Sequence, residues 1–152
     1  MVREILFKAK RKDNGEWVEG DLIQNVFNGT KKMWISSESY DKERLRSVHK
    51  YMTEWRAIEI DPDTLCQYTG LTDKKGRKIW ENDIISISAY SYDEPENDYF
   101  GIVAYCEKDA CWCLEDSESS EEIRCICECF GSYTTEIINH GNIFDNPELL
   151  EV

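Results

Sequence analysis

Apolar residues in this chain fall mostly into short alternating runs punctuated by Gly, Asn, Asp and Pro, a period of two that predicts strands. Glu4-Ile5-Leu6-Phe7-Lys8-Ala9 reads as the first strand and Trp17 to Ile23 as the second. Asp13-Asn14-Gly15 turns between them, because Asn and Gly both tolerate positive φ, so residues 4–23 predict a hairpin. Asn28-Gly29 marks another reversal, between Ile23-Gln24-Asn25-Val26-Phe27 and Met33-Trp34-Ile35-Ser36, which extends the hairpin to a three-stranded antiparallel meander. The pattern then changes. Leu45, Val48 and Met52 recur near helical spacing, with Ser39 or Asp41 as N-cap, and predict a short helix over 41–50. Ala57 to Ile60 returns to strand, and Asp61-Pro62-Asp63-Thr64 is a turn with proline at its pre-set position.

Alternation dominates the remainder. Gln67 to Leu71 precedes a loop tip at Asp73-Lys74-Lys75-Gly76, and Ile84 to Ala89 has the composition of a central strand. Phe100 to Cys106, Ala110 to Leu114, Ile123 to Phe130 and Glu136 to Phe144 predict further strands. Two acidic loops separate them, residues 91–99 and Glu115 to Glu122, and Pro147 opens a terminal helical turn. Nine or ten short strands give a mainly β, α+β expectation. The chain reads as a single domain over 1–152 with possible lobes at 1–62, the meander and helix, and at 63–152, a small, partly open SH3-like β-barrel.

The 152 residues, 41% hydrophobic and 12% aromatic, are enough for a real core and argue against disorder. No apolar run approaches the ~20 residues of a membrane helix. The N-terminal stretch is charged almost at once, which disfavours a secretory signal and makes a cytoplasmic setting, with no membrane partner, the expectation. Seven cysteines, an odd number, fit reduced thiols better than a disulfide framework. The net charge of −13 is concentrated: residues 91–122 hold 11 acidic side chains against one basic. A phosphate backbone rewards the opposite sign, so direct nucleic-acid binding is disfavoured.

Three segments together resemble the YopX-like family of phage and prophage proteins. Asp13-Asn14-Gly15-Glu16-Trp17-Val18-Glu19-Gly20 resembles its opening hairpin. The block from Gln67 to Ile85, through Asp73-Lys74-Lys75-Gly76-Arg77-Lys78-Ile79-Trp80-Glu81-Asn82-Asp83, is similar to its most distinctive stretch, and Gly141 to Leu150 to its C-terminal signature. Two departures stand out: Asn82-Asp83 replaces the usual Gly-Asp, and Asn139-His140 lengthens the link into the signature. Asn tolerates left-handed backbone, so the turn is expected to survive. The resemblance implies phage or prophage origin, a bacterial cytoplasm and a mostly β fold; it implies no reaction.

Cys111-Trp112-Cys113 and Cys125-Ile126-Cys127-Glu128-Cys129 set thiols two apart, on one face of a strand, and nominate Cys111, Cys113, Cys125, Cys127 and Cys129 as zinc candidates. Their spacing differs from the usual zinc signature, and cysteine also packs as a small hydrophobe. That packing is the reading preferred here, so no cofactor is expected. His49 and His140 lie far apart in sequence with no local partner for nucleophilic chemistry. Asp61 with Asp63, or Glu81 with Asp83, has oxygen ligands for a divalent ion, but turn-building explains Asp61 and Asp83 more simply. Lys74-Lys75-Gly76-Arg77-Lys78, the densest basic patch, reads as a solvated hairpin tip as readily as a phosphate site. Trp17, Trp34, Trp55, Trp80 and Trp112 belong mostly to the core, with aromatics also favoured at interfaces.

No catalytic constellation emerges. The leading expectation is a non-enzymatic phage accessory protein acting by protein–protein contact, as a homo-oligomer or on a phage or host protein. One alternative is an acidic decoy of a host DNA-binding protein, using Glu115, Asp116, Glu118, Glu121 and Glu122 to imitate phosphates. The other is a metal-binding module built on the cysteines.

Overall fold

The Asn14-Gly15 reversal forms where the pattern requires it. In the computed structural model, which describes residues 3–27, 29–37, 57–90, 97–118, 122–126 and 134–151, Gly15 takes φ +72°. The Asn14 side chain accepts the Glu16 amide at 2.9 Å. The turn joins β1 (Phe7–Lys10) to β2 (Trp17–Phe27), antiparallel, with Phe7 opposite Gly20 and Lys10 opposite Trp17. At eleven residues, β2 is the middle strand of the expected three-stranded meander. It serves two neighbours in succession: residues up to Gly20 pair with β1, and Asp21 onward with β3 (Thr30–Ser36). Gly20 sits at that handover with φ +158°, where a Cβ would lie 2.0 Å from the Ser36 carbonyl oxygen, so no other residue fits without backbone movement.

The chain divides into two compact units, Met1–Gln67 and Tyr68–Val152. In the first, β4 (Ala57–Glu59) pairs with β3, and the opening residues of β5 (Cys66–Thr72) pair with β1. The helix expected over 41–50 lies outside the described residues. Ala9, Val18, Met33, Ile35 and Ile60 form the core, with Phe7, Leu22, Ile58 and Leu65 packed against it. Pro62–Thr64 forms a 3-10 turn whose cap, Asp61, accepts the Asp63 amide at 3.1 Å.

In the second unit, the rest of β5 pairs with β6 (Lys78–Trp80). β7 (Asp83–Tyr90), β8 (Asn97–Cys106), β9 (Cys111–Glu115), β10 (Glu122–Cys125) and β11 (Thr134–Asn142) form an antiparallel sheet in the order β10-β9-β8-β7-β11. Among the described residues this sheet ends on β10 and β11, so no closed barrel forms; the fold is mainly antiparallel β. From Ile85 onward alternation sorts the side chains: Ile85 and Ile87 are fully buried, while Ser86 between them and Ser88 after them are half-buried. Ile79, Val103, Leu114, Ile126 and Ile137 complete that core, and each buried Ile or Leu stabilises the unit by ~1.5–3 kcal/mol.

Both acidic segments are shorter as loops than the composition indicates. Asn97 to Tyr99 pair with Ala89 to Ile87 and belong to β8, and residues 91–96 lie outside the described residues. Glu115 ends β9 and Glu122 begins β10. Backbone pairing with a central strand overrides a polar sequence at its ends, since every ladder hydrogen bond satisfies two groups that would otherwise need water.

Candidate functional site

The polar residues of the most distinctive sequence block are engaged in holding backbone. Asp73, 5% exposed, accepts the Lys75 and Arg77 amides on Oδ1, both at 2.9 Å. Its Oδ2 accepts Arg77 Nε at 2.7 Å and lies 2.7 Å from Nη2. Burial pushes this carboxyl up, but the Arg77 amide and guanidinium and the Lys75 amide outweigh it and hold the group below its ordinary value. Arg77 Nη2 also donates to the Asn139 carbonyl at 2.8 Å, and the Lys74 amide to that of Ile137 at 3.0 Å, so the loop tip is tied to β11. The basic patch is thereby partly occupied: Lys74 Nζ lies 3.5 Å from Glu136, and Lys78 Nζ lies 5.4 Å from the Tyr68 ring.

Asp83, 2% exposed, accepts the Trp80 amide at 2.8 Å and the Asn139 side-chain amide at 2.6 Å. Asn139 therefore has a structural role: its Oδ1 also accepts the Gly141 amide at 2.9 Å. Asn82 takes φ +67°, the left-handed backbone that its glycine-like position demands. In the C-terminal signature Asn142 Oδ1 accepts the Phe144 and Asp145 amides at 3.0 and 2.9 Å.

Cys111 and Cys125 approach to 3.0 Å between sulfurs, half-buried and buried respectively. Cys113, opposite Cys125 in the β9–β10 register, is 1% exposed. Burial, then the charges of Glu122 and Glu115, push its thiol up to about 12. Cys127 and Cys129 lie outside the described residues. Among the described residues, Cys106, Asp109 and Glu122 bring three ligand atoms within 4.8 Å of one another. Cys106 Sγ lies 3.7 Å from Asp109 Oδ2 and 3.2 Å from Glu122 Oε2. The Asp109 backbone pulls the Cys106 thiol down, but Glu122, through its hydrogen bond and charge, desolvation and the Asp109 charge together raise it. Sequence reasoning passed over Cys106 because no second cysteine stands two residues away. The signal was the Cys106-x-x-Asp109 spacing across a strand-ending turn.

Of the proposed acidic patch, Glu115 and Glu122 stand directly opposite each other across β9 and β10. Asp116 accepts the Glu118 amide at 3.0 Å, and Glu121 lies outside the described residues. His140 Nε2 is 2.9 Å from Ser86 Oγ, and its ring lies 5.8 Å from that of Phe100; His49 lies outside the described residues. Phe100, in mid-β8, is 47% exposed. Trp80 is buried, Trp17, Trp34 and Trp112 are half-buried, and Trp55 lies outside the described residues. In the first unit, Arg11, Lys12, Asp13 and Ala57 to Glu59 line a shallow depression whose Arg11–Asp13 and Lys12–Glu59 pairs bridge at 2.6 and 3.3 Å.

Among solved structures, the crystal structure of protein EF1440 from Enterococcus faecalis is similar at 23% identity and a TM-score of 0.45, over 98% of this chain and 99% of that one. No curated protein matches the chain. The family described as YopX protein matches residues 6–151. That span takes in the opening hairpin, the Asp73-to-Asp83 turns and the C-terminal signature, and so the chain belongs to the YopX family.

Proposed function

We propose that this protein is a phage- or prophage-encoded accessory protein, non-enzymatic, that works by protein–protein contact in a bacterial cytoplasm, with a second copy of itself as the first partner. The observation that carries the reading is Phe100. A large aromatic ring, 47% exposed on a strand interior to the sheet, is the kind of residue that interface cores enrich. Its neighbours suit a contact surface: Ser86 is opposite in register, and His140 is alongside. The polar residues of the family blocks support the same reading, since Asp73, Arg77, Asp83, Asn139 and Asn142 are committed to backbone hydrogen bonds.

The test is the solution mass of the full chain by light scattering across micromolar concentrations, with Phe100→Ser beside it. A mass above the 17.9 kDa of one chain, falling to one chain in the variant, supports the reading. A monomer throughout overturns self-association.

The Glu115–Glu122 juxtaposition favours a second reading, the acidic decoy, because it keeps carboxylates close together on one edge of the sheet. That reading requires a host DNA-binding protein to co-purify from infected cells at low salt and to be lost at high salt. It also requires the loss to follow neutralisation of Glu115, Asp116, Glu118, Glu121 and Glu122. Binding that survives neutralisation overturns it.

A further inference from the structure

We infer that Cys106, Asp109 and Glu122 form an open binding site for a divalent, borderline-soft cation of the zinc class. β8 ends at Cys106, and the turn Glu107 to Ala110, closed by Ala110 at φ +50°, brings Asp109 back toward the sulfur. β10 begins at Glu122, which reaches the same sulfur from beyond β9. Three donors from separate points in the chain thus converge.

The distances fit such an ion. Around a tetrahedral zinc with metal–sulfur and metal–oxygen bonds of ~2.3 and ~2.0 Å, a sulfur–oxygen edge is ~3.5 Å. The two edges here, 3.7 and 3.2 Å, bracket that value. A single S–H can donate to only one of the two carboxylates at a time, whereas one cation engages all three groups, with the thiol proton released to solvent. The surroundings point the same way. Glu115 lies opposite Glu122 in register, and like charges directly opposite destabilise a ladder unless something compensates them. The donor set selects the metal class: magnesium and calcium take oxygen ligands, while zinc accepts sulfur and carboxylate together. Asp109 and Glu122 are exposed and Cys106 is half-buried, so an ion reaches the site without the fold opening. Three protein ligands leave a fourth position for water or a donor from a partner. The site is independent of the contact surface at Phe100.

The experiment is a cobalt(II) titration of the full chain, stripped with chelator and kept reduced, followed by back-titration with zinc. The expected result is one equivalent of cobalt, a thiolate-to-cobalt charge-transfer absorption, and its loss as zinc displaces the probe. Cys106→Ser abolishes that absorption, and Glu122→Gln weakens binding at least ~10-fold. Cys111→Ser and Cys125→Ser keep it, and unchanged circular dichroism confirms that each variant folds. No charge-transfer absorption in the natural chain overturns the assignment. So does an absorption that persists in Cys106→Ser, or one that disappears in Cys111→Ser or Cys125→Ser, which places the metal on the thiol pair instead.

Discussion

Replacing Asp73 by Ala tests the claim that the loop tip is an anchor and not a binding patch. The carboxylate is 5% exposed and holds two amides and one guanidinium. Two hydrogen bonds to a charged acceptor contribute ~1.5 kcal/mol each. The pair with Arg77, whose side chain is 53% exposed, adds ~0.5 kcal/mol after screening. The expected cost of Asp73→Ala is therefore ~3.5 kcal/mol, a large fraction of the ~5–15 kcal/mol that holds a domain folded. In a urea titration followed by tryptophan fluorescence, with a slope of ~2 kcal/mol/M, the midpoint falls by ~1.7 M. Asp73→Asn keeps an acceptor but loses the charge, and costs about half as much. The pH dependence supplies a second check. Because the folded carboxyl titrates below its ordinary value of 3.8, its stabilisation is fully present above that pH and is lost as pH falls through the folded value. The gap between the natural chain and Asp73→Asn therefore narrows only below pH 3.8. A midpoint for Asp73→Ala within about 0.3 M of the natural chain would refute the argument.

Gly20→Ala sets a Cβ 2.0 Å from the Ser36 carbonyl oxygen, whereas Gly15→Ala meets nothing within 4 Å. The first is expected to cost more than ~3 kcal/mol and the second ~1–2 kcal/mol in thermal unfolding, and equal costs would contradict the packing at the β2 handover. Leu114→Ala, fully buried, is expected to cost ~2–5 kcal/mol by the same measurement. Asn82→Val, forced to φ +67°, is expected to lose ~1–2 kcal/mol, and Asn82→Gly to stay within about 1 kcal/mol of the natural chain. Cys113, with its thiol pushed up to about 12, is expected to resist iodoacetamide at pH 8 in the folded protein and to react on adding urea. Peptide mass spectrometry after timed quenching reads both rates.

The sequence by itself determined the strands, the turns and the family. Period-two alternation placed Ile85 and Ile87 in a core, because pleating sends alternate side chains to opposite faces whatever lies further along the chain. Asn14-Gly15 and Asp61-Pro62 announced their turns because their residues fix the local backbone, and Asn82 kept a glycine-like turn for the same reason. Only tertiary structure decided where strands outlast their composition. Asn97 to Tyr99 are polar or acidic in character yet belong to β8, since β7 offers them backbone partners. The candidate site was the least legible part. Cys106, Asp109 and Glu122 span a turn and skip across β9, and their convergence depends on cross-strand register, which sequence spacing alone does not encode.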